Sequence, residues 1–382
     1  MSDQLQDLKL GVGVASLRQD EYLPRTLEAI DTMLTEAGVV PVARVVVSAE
    51  GSSAAERLAA QRGWAWRRVL PGSPSTLAAA REAARRGAGG SVTLLVDGDV
   101  AVAAGWLEAA VTRLGQEERL AGVGGAVDES HWQSGALVGG RRDVYRAGAG
   151  RGATALFDVA VWRRDYLDAV GGFDGWLSSD DEIELGGRLA LAGHGQHMLG
   201  QVAGVRHGPG RESFAEFRDR ITSGRIQGPG VALRRSRGTM LFGRLLARHK
   251  GGLLLVAWVL LGIALGIFAR DQGGPSIWFW ATLGLLVFFA ILKLSLSRAF
   301  WGGLIALAEG VSVARVLVLP FGLPRLGAAP RPLPPPKEGA AEAAEADAAA
   351  ARAAEQRARE FEARETASLR DPGEPPPIVE QR

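Results

Sequence analysis

Short apolar runs alternate with amphipathic helical patterns over residues 8–127. The apolar runs are bounded by turn residues, which indicates strands, and they lie at residues 8–15, 44–48, 64–70, 92–96 and 121–127. The helical patterns between them lie at residues 24–37, 53–62, 75–86 and 105–114. This βαβα alternation predicts an α/β, Rossmann-like fold, in which a mostly parallel sheet has helices on both faces.

The next part of the chain, residues 128–210, lacks this alternation and is predicted to be largely irregular. It is rich in glycine, arginine and histidine. Two elements are still expected within it. A helix begins near residues 179–180, and a strand over residues 196–205 ends at His207.

Two long apolar runs follow, at residues 251–269 and 276–292. Each is uncharged and long enough to cross a bilayer as a helix, so we predict a transmembrane helical hairpin. Basic residues flank its outer ends, which places both ends in the cytoplasm. A third apolar run, 301–319, contains Glu309 and Arg315. It fits a third span, a re-entrant segment or an interfacial helix, and the cost of charge at mid-bilayer favours insertion in the membrane plane.

These changes of composition divide the chain into five segments. We predict a catalytic domain at 1–212, a basic amphipathic segment at 213–250, the hairpin at 251–298, the third membrane segment at 299–327, and a proline-rich linker with a largely disordered tail at 328–382. The tail is suited to binding a protein partner. The polar N-terminus shows no signal peptide, so we expect a multi-pass protein of the inner membrane whose catalytic domain is cytoplasmic.

Composition excludes several classes of site. The chain has no cysteine, which rules out disulfides, zinc–thiolate sites, iron–sulfur clusters and thiol nucleophiles. The net charge of +2 does not indicate nucleic-acid binding. The basic segment at 213–250 is instead expected to meet anionic membrane lipids.

The candidate chemistry begins at Asp97-Gly98-Asp99, directly after the run at 92–96. Parallel α/β sheets bind ligands beyond the carboxyl ends of their strands. Two carboxylates at this spacing can share one Mg²⁺ or Mn²⁺. Aspartate and glycine are also common in turns, so the stretch by itself fits a turn and a metal site equally well.

A second acidic group stands at the predicted helix start near residue 180. Its four members exceed what a helix cap requires, and their repulsion calls for a ligand, a metal or arginine. They are Asp180, Asp181, Glu182 and Glu184. A solvated acidic helix start is the alternative. His207, at a strand end, is within reach of the same edge of the sheet.

Four motifs in this order resemble the family 2 inverting glycosyltransferases with a GT-A fold, especially the membrane-attached bacterial type that makes exopolysaccharides. The likeness covers residues 8–250 approximately. It rests on Asp97-Gly98-Asp99, on Gly171-Gly172-Phe173-Asp174, on the acidic group followed by Arg188-Leu189, and on His207 followed by Ser213.

The resemblance implies a role for each acid. Asp99 would ligate a divalent cation, Mn²⁺ or Mg²⁺, while Asp97 would contact ribose or metal-bound water. His207 stands where many relatives have a further metal ligand. The cation would neutralise charge on the departing nucleoside diphosphate. Glu182 aligns with the usual catalytic base, and Asp181 remains a candidate for that role.

The nucleotide end departs from the family pattern. Glu50 stands where relatives have an acid that reads uracil, and Ala54 replaces a usual aspartate. A UDP-sugar is nevertheless the first expectation for the donor. Arg81 matches an Ala-Arg pair near the nucleotide in relatives, where its guanidinium would suit a phosphate or fix the acidic strand end.

The chain lacks the Gln-x-x-Arg-Trp motif of processive synthases. We therefore expect transfer of one sugar to a lipid-linked or glycan acceptor held at the membrane. A bare polyprenyl phosphate is the alternative acceptor. A catalytically degenerate membrane scaffold is the alternative of another class, motivated by Glu50, Ala54 and Glu182 in place of usual residues.

Overall fold

The computed structural model describes residues 9–17, 21–49, 53–69, 75–133, 136–208, 214–222, 224–237, 239–292 and 296–318. The predicted linker and tail at 328–382, with their possible partner, lie outside the described residues. Ten strands of the described chain form one sheet, in the order β3-β2-β1-β4-β9-β6-β10-β5, with β7 paired to β6 and β8 to β10.

The first half of the sheet is parallel, as the alternation predicts. Its strands are β1 (Leu10–Ser16), β2 (Ala43–Ser48), β3 (Ala65–Arg68) and β4 (Val92–Asp97). The helices between them are α1 (Leu23–Glu36), α2 (Ser53–Gln61) and α3 (Leu77–Ala88). Every residue of β1 and β4 is buried, which explains why these runs are apolar on both faces.

The second half of the sheet is mixed, and much of it falls in the region predicted to be irregular. Strand β9 lies antiparallel between β4 and β6, so it joins the two halves. Strand β6 is parallel to β10, and β5 is antiparallel to β10. The bounds are β5 (Val100–Val102), β6 (Leu120–Gln133), β7 (Ala136–Arg141), β8 (Gly150–Ala153), β9 (Val159–Arg163) and β10 (Gly195–Gly208).

The prediction of irregular structure was wrong for β7, β8 and β9 for two physical reasons. Strand β7 is exposed throughout and strand β8 is exposed or half-buried, and glycine or arginine make up three of the six residues of β7 and three of the four of β8. Neither strand therefore shows an alternation of polar and apolar residues. Strand β9 has only five residues and is buried at four of them. Its apolar run lacks the period that would separate it from a helix.

Helices cover both faces of the sheet. The remaining helices of this part are α4 (Trp106–Gln116), α5 (Arg164–Ala169) and α6 (Asp181–Leu191). One apolar core contains Leu27 of α1 and Trp106 of α4, and a second contains Ala84 of α3 and Leu185 of α6. The site-bearing helices α3 and α6 therefore pack on the same face.

The C-terminal part is helical throughout its described residues, apart from short connections. It comprises α7 (Phe214–Thr222), α8 (Gly228–Arg235), α9 (Leu241–Arg248), α10 (Lys250–Phe268), α11 (Gly274–Leu292) and α12 (Leu296–Val318). Helices α10, α11 and α12 are each long and apolar enough to cross a membrane. Helices α10 and α12 touch at Gly252 and Gly310, where a Cβ on Gly310 would lie 2.2 Å from the Gly252 carbonyl oxygen.

Helix α12 corresponds to the third apolar run, which was expected to lie in the membrane plane because it contains Glu309 and Arg315. Its Glu309 forms an ion pair with Arg220 of α7. The pairing removes the uncompensated charge on which that expectation rested. Helix α12 is also more buried inside the protein than α10 or α11, and its Val313 lies in one apolar cluster with Ala78 of α3.

Candidate active site

The Asp97-Gly98-Asp99 stretch leaves β4 at its carboxyl end and passes very close to β1. A Cβ on Gly98 would lie 2.9 Å from the Cβ of Ser16, so glycine is required by this approach. The Gly98 amide donates to the Ala15 carbonyl at 2.8 Å. Both aspartates are buried, which places two carboxylates at the ligand edge of the sheet.

Arg81 of α3 connects this strand end to the start of α6. Its Nε and Nη2 atoms donate to the two Asp97 carboxylate oxygens at 2.9 and 2.6 Å. Its Nη1 atom lies 2.6 Å from Asp181 Oδ2 and 2.6 Å from Glu182 Oε1. A planar guanidinium suits this geometry, because it can bind one carboxylate with two parallel bonds and still reach others.

The charge at Arg81 is secured by its partners. Burial opposes ionisation of Arg81, but the charges of Asp181, Asp97 and Glu182 outweigh it and raise the pKa of the guanidinium. For Glu182 burial is the larger effect, and Arg81 offsets it only in part, so the pKa of this carboxyl rises to about 7. Glu182 is therefore poised to exchange a proton near neutral pH.

The other two acids of the group, Glu184 and Asp180, are also paired with basic side chains. Glu184 binds Arg188 within α6 at 2.7 and 2.8 Å. Asp180 adopts a left-handed conformation with φ 60° just before α6, and its side chain does not cap the helix. Its carboxylate instead accepts from Arg248 at 3.0 Å and contacts His249 at 2.8 Å.

The four acids are thus neither a solvated surface nor a cluster left in mutual repulsion. Arginines of α3, α6 and α9, together with His249 just after α9, compensate them. Burial opposes ionisation of Asp180, but the hydrogen bond to His249 and the charge of Arg248 outweigh it and lower the pKa of this carboxyl. Since His249 directly precedes α10, Asp180 connects α6 to the first of the helices that could cross a membrane.

Asp158, immediately before β9, is a site residue that sequence reasoning missed. Its φ is +59°, which is strained for a non-glycine residue. Its carbonyl accepts from the Asp97 amide at 2.8 Å, and its carboxylate from the Tyr145 hydroxyl at 2.9 Å. Burial first, then Asp97 and Asp99, raise the pKa of this carboxyl. Its only signal in the sequence is an acid ahead of a short apolar run.

A narrow cleft opens between these elements. Its lining combines the charged residues with aromatic side chains, namely Arg81, Asp97, Asp158, Glu182, Phe157 and Phe173. The Gly172-Phe173 pair places the last of these, since Gly172 has a φ of +69° and the Phe173 amide donates to Glu82 at 2.9 Å. Of the two base candidates, Glu182 lines the cleft and Asp181 does not.

Asp99 and His207 are neighbours at the end of β4, next to the Asp97 side of the cleft. The His207 amide donates to the Asp99 carbonyl at 2.8 Å. The His207 Nδ1 atom accepts from Trp132 Nε1 at 3.2 Å, and the ring stacks on Tyr22 with centroids 6.0 Å apart. Burial, and then the charge of Arg25, lower the pKa of His207. The imidazole is therefore neutral at physiological pH.

The predicted metal ligands do not form a ready-made set. Among the described residues, no three histidine or acidic side chains are grouped closely enough to hold a metal ion. Both oxygens of Asp97 are bound by Arg81. Asp99 fits a cation best, because burial and the neighbouring Asp97 raise the pKa of its carboxyl to about 7. A divalent cation would offset that cost. Glu50 lies outside the described residues.

Comparison with known proteins adds a family and a fold. The sequence model described as glycosyltransferase-like family 2 matches residues 9–222. No curated protein sequence matches the chain. A mannosyltransferase, PcManGT from Pyrobaculum calidifontis, solved with GDP-Man and Mn²⁺, is 16% identical, with a TM-score of 0.51 over 83% of this chain and 89% of that one. GalNAc-T7, solved with UDP, GalNAc and Mn²⁺, is 13% identical, with a TM-score of 0.43 over 58% and 48%.

The structural likeness confirms the GT-A type of α/β fold, and it extends past the family match. The family match covers more than half of the 382 residues. It includes the end of β4, the start of α6 and His207. The chain therefore belongs to glycosyltransferase-like family 2.

Proposed function

We propose that this protein is a metal-dependent, inverting glycosyltransferase that moves a sugar from a nucleotide sugar to a lipid-linked acceptor at the membrane. One observation carries the proposal. Arg81 binds Asp97, at the donor edge of the sheet, and Glu182, the base candidate, with the same guanidinium. The two halves of a displacement reaction would thus be held at a fixed separation.

Glu182 is the proposed base. The acceptor hydroxyl attacks the anomeric carbon, its proton passes to the Glu182 carboxylate, and the bond from the anomeric carbon to the diphosphate oxygen breaks. The nucleoside diphosphate leaves from the opposite face, so a single displacement inverts the configuration. A base with a pKa of about 7 matches the pH at which general-base catalysis is most effective.

The donor end is proposed at Asp99, with Asp97 held ready for ribose or metal-bound water. A divalent cation there, Mn²⁺ or Mg²⁺, would neutralise charge on the leaving diphosphate. Support comes from the buried Asp99 carboxylate and from PcManGT, whose structure contains GDP-Man and Mn²⁺. UDP remains the first expectation from the family resemblance, although Glu50 and Ala54 depart from the family pattern at the nucleotide end. GDP is the competing nucleotide, because the structure of PcManGT contains GDP-Man.

The acceptor is proposed to be membrane-held. Helices α10, α11 and α12 are long and apolar enough to span a bilayer. Asp180, beside the base, is bound by Arg248 and His249, directly ahead of α10. The cleft would therefore open close to the cytoplasmic face of the inner membrane, where lipid-linked acceptors present their polar ends.

The test uses the full chain in lipid nanodiscs, with Mn²⁺, UDP- or GDP-sugars, and a bacterial lipid extract. Released nucleoside diphosphate and the mass of the lipid product are measured. We expect Glu182→Gln to lower turnover by about 10²–10⁴-fold, and Glu184→Gln, the matched control, to retain most of it. Extension of a lipid-linked sugar, rather than of bare polyprenyl phosphate, distinguishes the two acceptors. Calorimetry that detects no nucleotide binding, with or without Mn²⁺, would favour the scaffold instead.

A further inference from the structure

The contact between Trp132 and His207 determines which ring nitrogen of the histidine carries a proton. An indole N–H can only donate, and Trp132 Nε1 lies 3.2 Å from His207 Nδ1. Nδ1 must therefore be the acceptor and carry no proton. In a neutral imidazole the proton is then on Nε2. Nε2 makes no hydrogen bond to another residue of the described chain.

Strand pairing explains why these two side chains meet. In the parallel register of β6 and β10, His207 stands opposite Ser130. Trp132 lies two residues further along β6, and residues two apart on a strand point to the same face. The Trp132 ring therefore reaches the histidine from its own side of the sheet.

The arrangement is held on several sides. The Arg25 guanidinium lies 4.4 Å from the centre of the Trp132 ring, which is a favourable cation–π distance. Tyr22 stacks on the imidazole, and the His207 backbone is fixed by its bond to Asp99. Exchange of the two ring nitrogens would break the hydrogen bond to Trp132.

This tautomer is unsuited to binding a metal. Ligation needs a ring nitrogen with an available lone pair, yet the lone pair of Nδ1 is directed at Trp132 and Nε2 bears a hydrogen. The grouping of side chains agrees, because His207 does not form a metal-binding cluster with Asp97 and Asp99. An N–H group is, in contrast, a good partner for a phosphate oxygen.

We propose that His207 donates a hydrogen bond from Nε2 to a diphosphate oxygen of the donor instead of ligating the metal, and that Trp132 is the positioning residue that fixes this tautomer. The proposal rests on the proposed function in one respect, namely that the donor carries a diphosphate. It differs from what the family resemblance implies for His207. The cation is then left to Asp99 and to the diphosphate itself.

The test is pulsed electron paramagnetic resonance of Mn²⁺ bound to the full chain with UDP or GDP, whichever binds. Electron spin echo modulation reports whether a histidine ¹⁴N is bonded directly to Mn²⁺. We expect no such coupling in the wild type. For His207→Ala we expect Mn²⁺ affinity within about twofold, while nucleotide affinity falls by about 10-fold or more, the loss of one hydrogen bond to a charged group.

Two variants separate positioning from direct contact. Trp132→Phe keeps an aromatic ring at this position but removes the indole N–H, so the tautomer is no longer fixed. We expect weaker nucleotide binding and, in ¹⁵N spectra of histidine-labelled protein, a mixture of tautomers in place of the Nε2–H form. His207→Gln, whose amide can donate near the Nε2 position, should recover part of the nucleotide affinity.

Three results would overturn the proposal. They are a directly bonded histidine nitrogen in the wild type, a loss of about tenfold or more in Mn²⁺ affinity in His207→Ala, or an Nδ1–H tautomer in the ¹⁵N spectra. In each of these cases the proposed transferase function survives. A wild-type protein that binds neither Mn²⁺ nor nucleotide would overturn both proposals together.

Discussion

Replacement of Arg81 by methionine should be the most damaging single change to the site. The Arg81 side chain is 7% exposed and touches Asp97, Asp181 and Glu182, all within 2.9 Å. Methionine fills much of the same volume but leaves three buried carboxylates without a cation. Breaking a buried ion pair in this way costs about 3–5 kcal/mol.

The pH dependence follows from the acids that remain. Without Arg81, burial raises the folded-state pKa of Asp97 and Glu182 further above the unfolded value. An acid whose pKa is raised in the folded state destabilises the fold fully above that folded pKa, and the penalty declines as the pH falls from the folded towards the unfolded pKa. Glu182 already titrates at about 7 with Arg81 in place. The loss of stability in Arg81→Met should therefore be larger at pH 8 than at pH 5.

Thermal unfolding of the full chain in detergent, followed by tryptophan fluorescence between pH 5 and pH 8, measures this effect. With about 2–4 °C per kcal/mol for a domain of this size, the Tm should fall by roughly 6–20 °C at pH 8. Arg86→Met is the matched control, since Arg86 lies on the same helix, is 44% exposed and pairs with Glu82. Its cost should stay below about 1 kcal/mol.

Two outcomes would refute the reasoning. One is a fall in Tm for Arg81→Met that is no larger than the fall for Arg86→Met. The other is a large deficit that is the same at pH 5 and pH 8, which would mean that lost packing, and not the unpaired carboxylates, is responsible. The double variant Arg81→Met/Glu182→Gln provides a further check, because it removes one of the stranded charges and should recover part of the loss.

Three further predictions concern single acids. In Glu182→Gln, kcat should fall about 10²–10⁴-fold while the donor affinity is unchanged. The rate of the wild-type enzyme should rise as the pH increases through about 7. A flat pH–rate profile of the wild type would contradict the assignment of Glu182 as the base. The Mn²⁺ affinity, measured by titration, should fall about tenfold between pH 8 and pH 6. The reason is that protons compete with the cation for the Asp99 carboxylate, whose pKa is about 7. Asp99→Asn should abolish this pH dependence. Asp180→Asn should cost about 1–3 kcal/mol, seen as a lower Tm at pH 8, because Arg248 and His249 lose a charged partner. An unchanged Tm would argue against the pairing with Arg248 and His249.

Elements whose signal is local could be predicted from the sequence. The strands β1 to β4 and the helices between them lie close to their predicted positions, because buried parallel strands and amphipathic helices each leave a periodic pattern in the residues themselves. The helices α10 and α11 could equally be predicted from their two long apolar runs. The placement of Asp97-Gly98-Asp99 at a strand end followed from the same patterns.

Elements defined by pairing could not be predicted in this way. Strand β9 enters the sheet antiparallel between β4 and β6, and it brings Asp158 to the site with a strained backbone. A short apolar run does not say which strands it will lie between. Its left-handed residue has no composition signal either, because the surrounding structure imposes the conformation.

The candidate site shows the same division. The family resemblance selected Arg81, Asp97, Asp181, Glu182, Asp99 and His207, and the structure brings the first four into direct contact. The tertiary structure alone decided which side chains bind to one another. Arg81 takes both oxygens of Asp97, and Trp132 takes the lone pair of His207.

These partners lie 16 to 100 residues apart along the chain. Their contacts depend on the order of strands in the sheet and on which helices share a face. The sequence by itself determined the local elements and the chemical groups that they carry. Only the fold decided which of those groups are paired, which are buried with a raised pKa, and hence which can hold a cation, a phosphate or a proton.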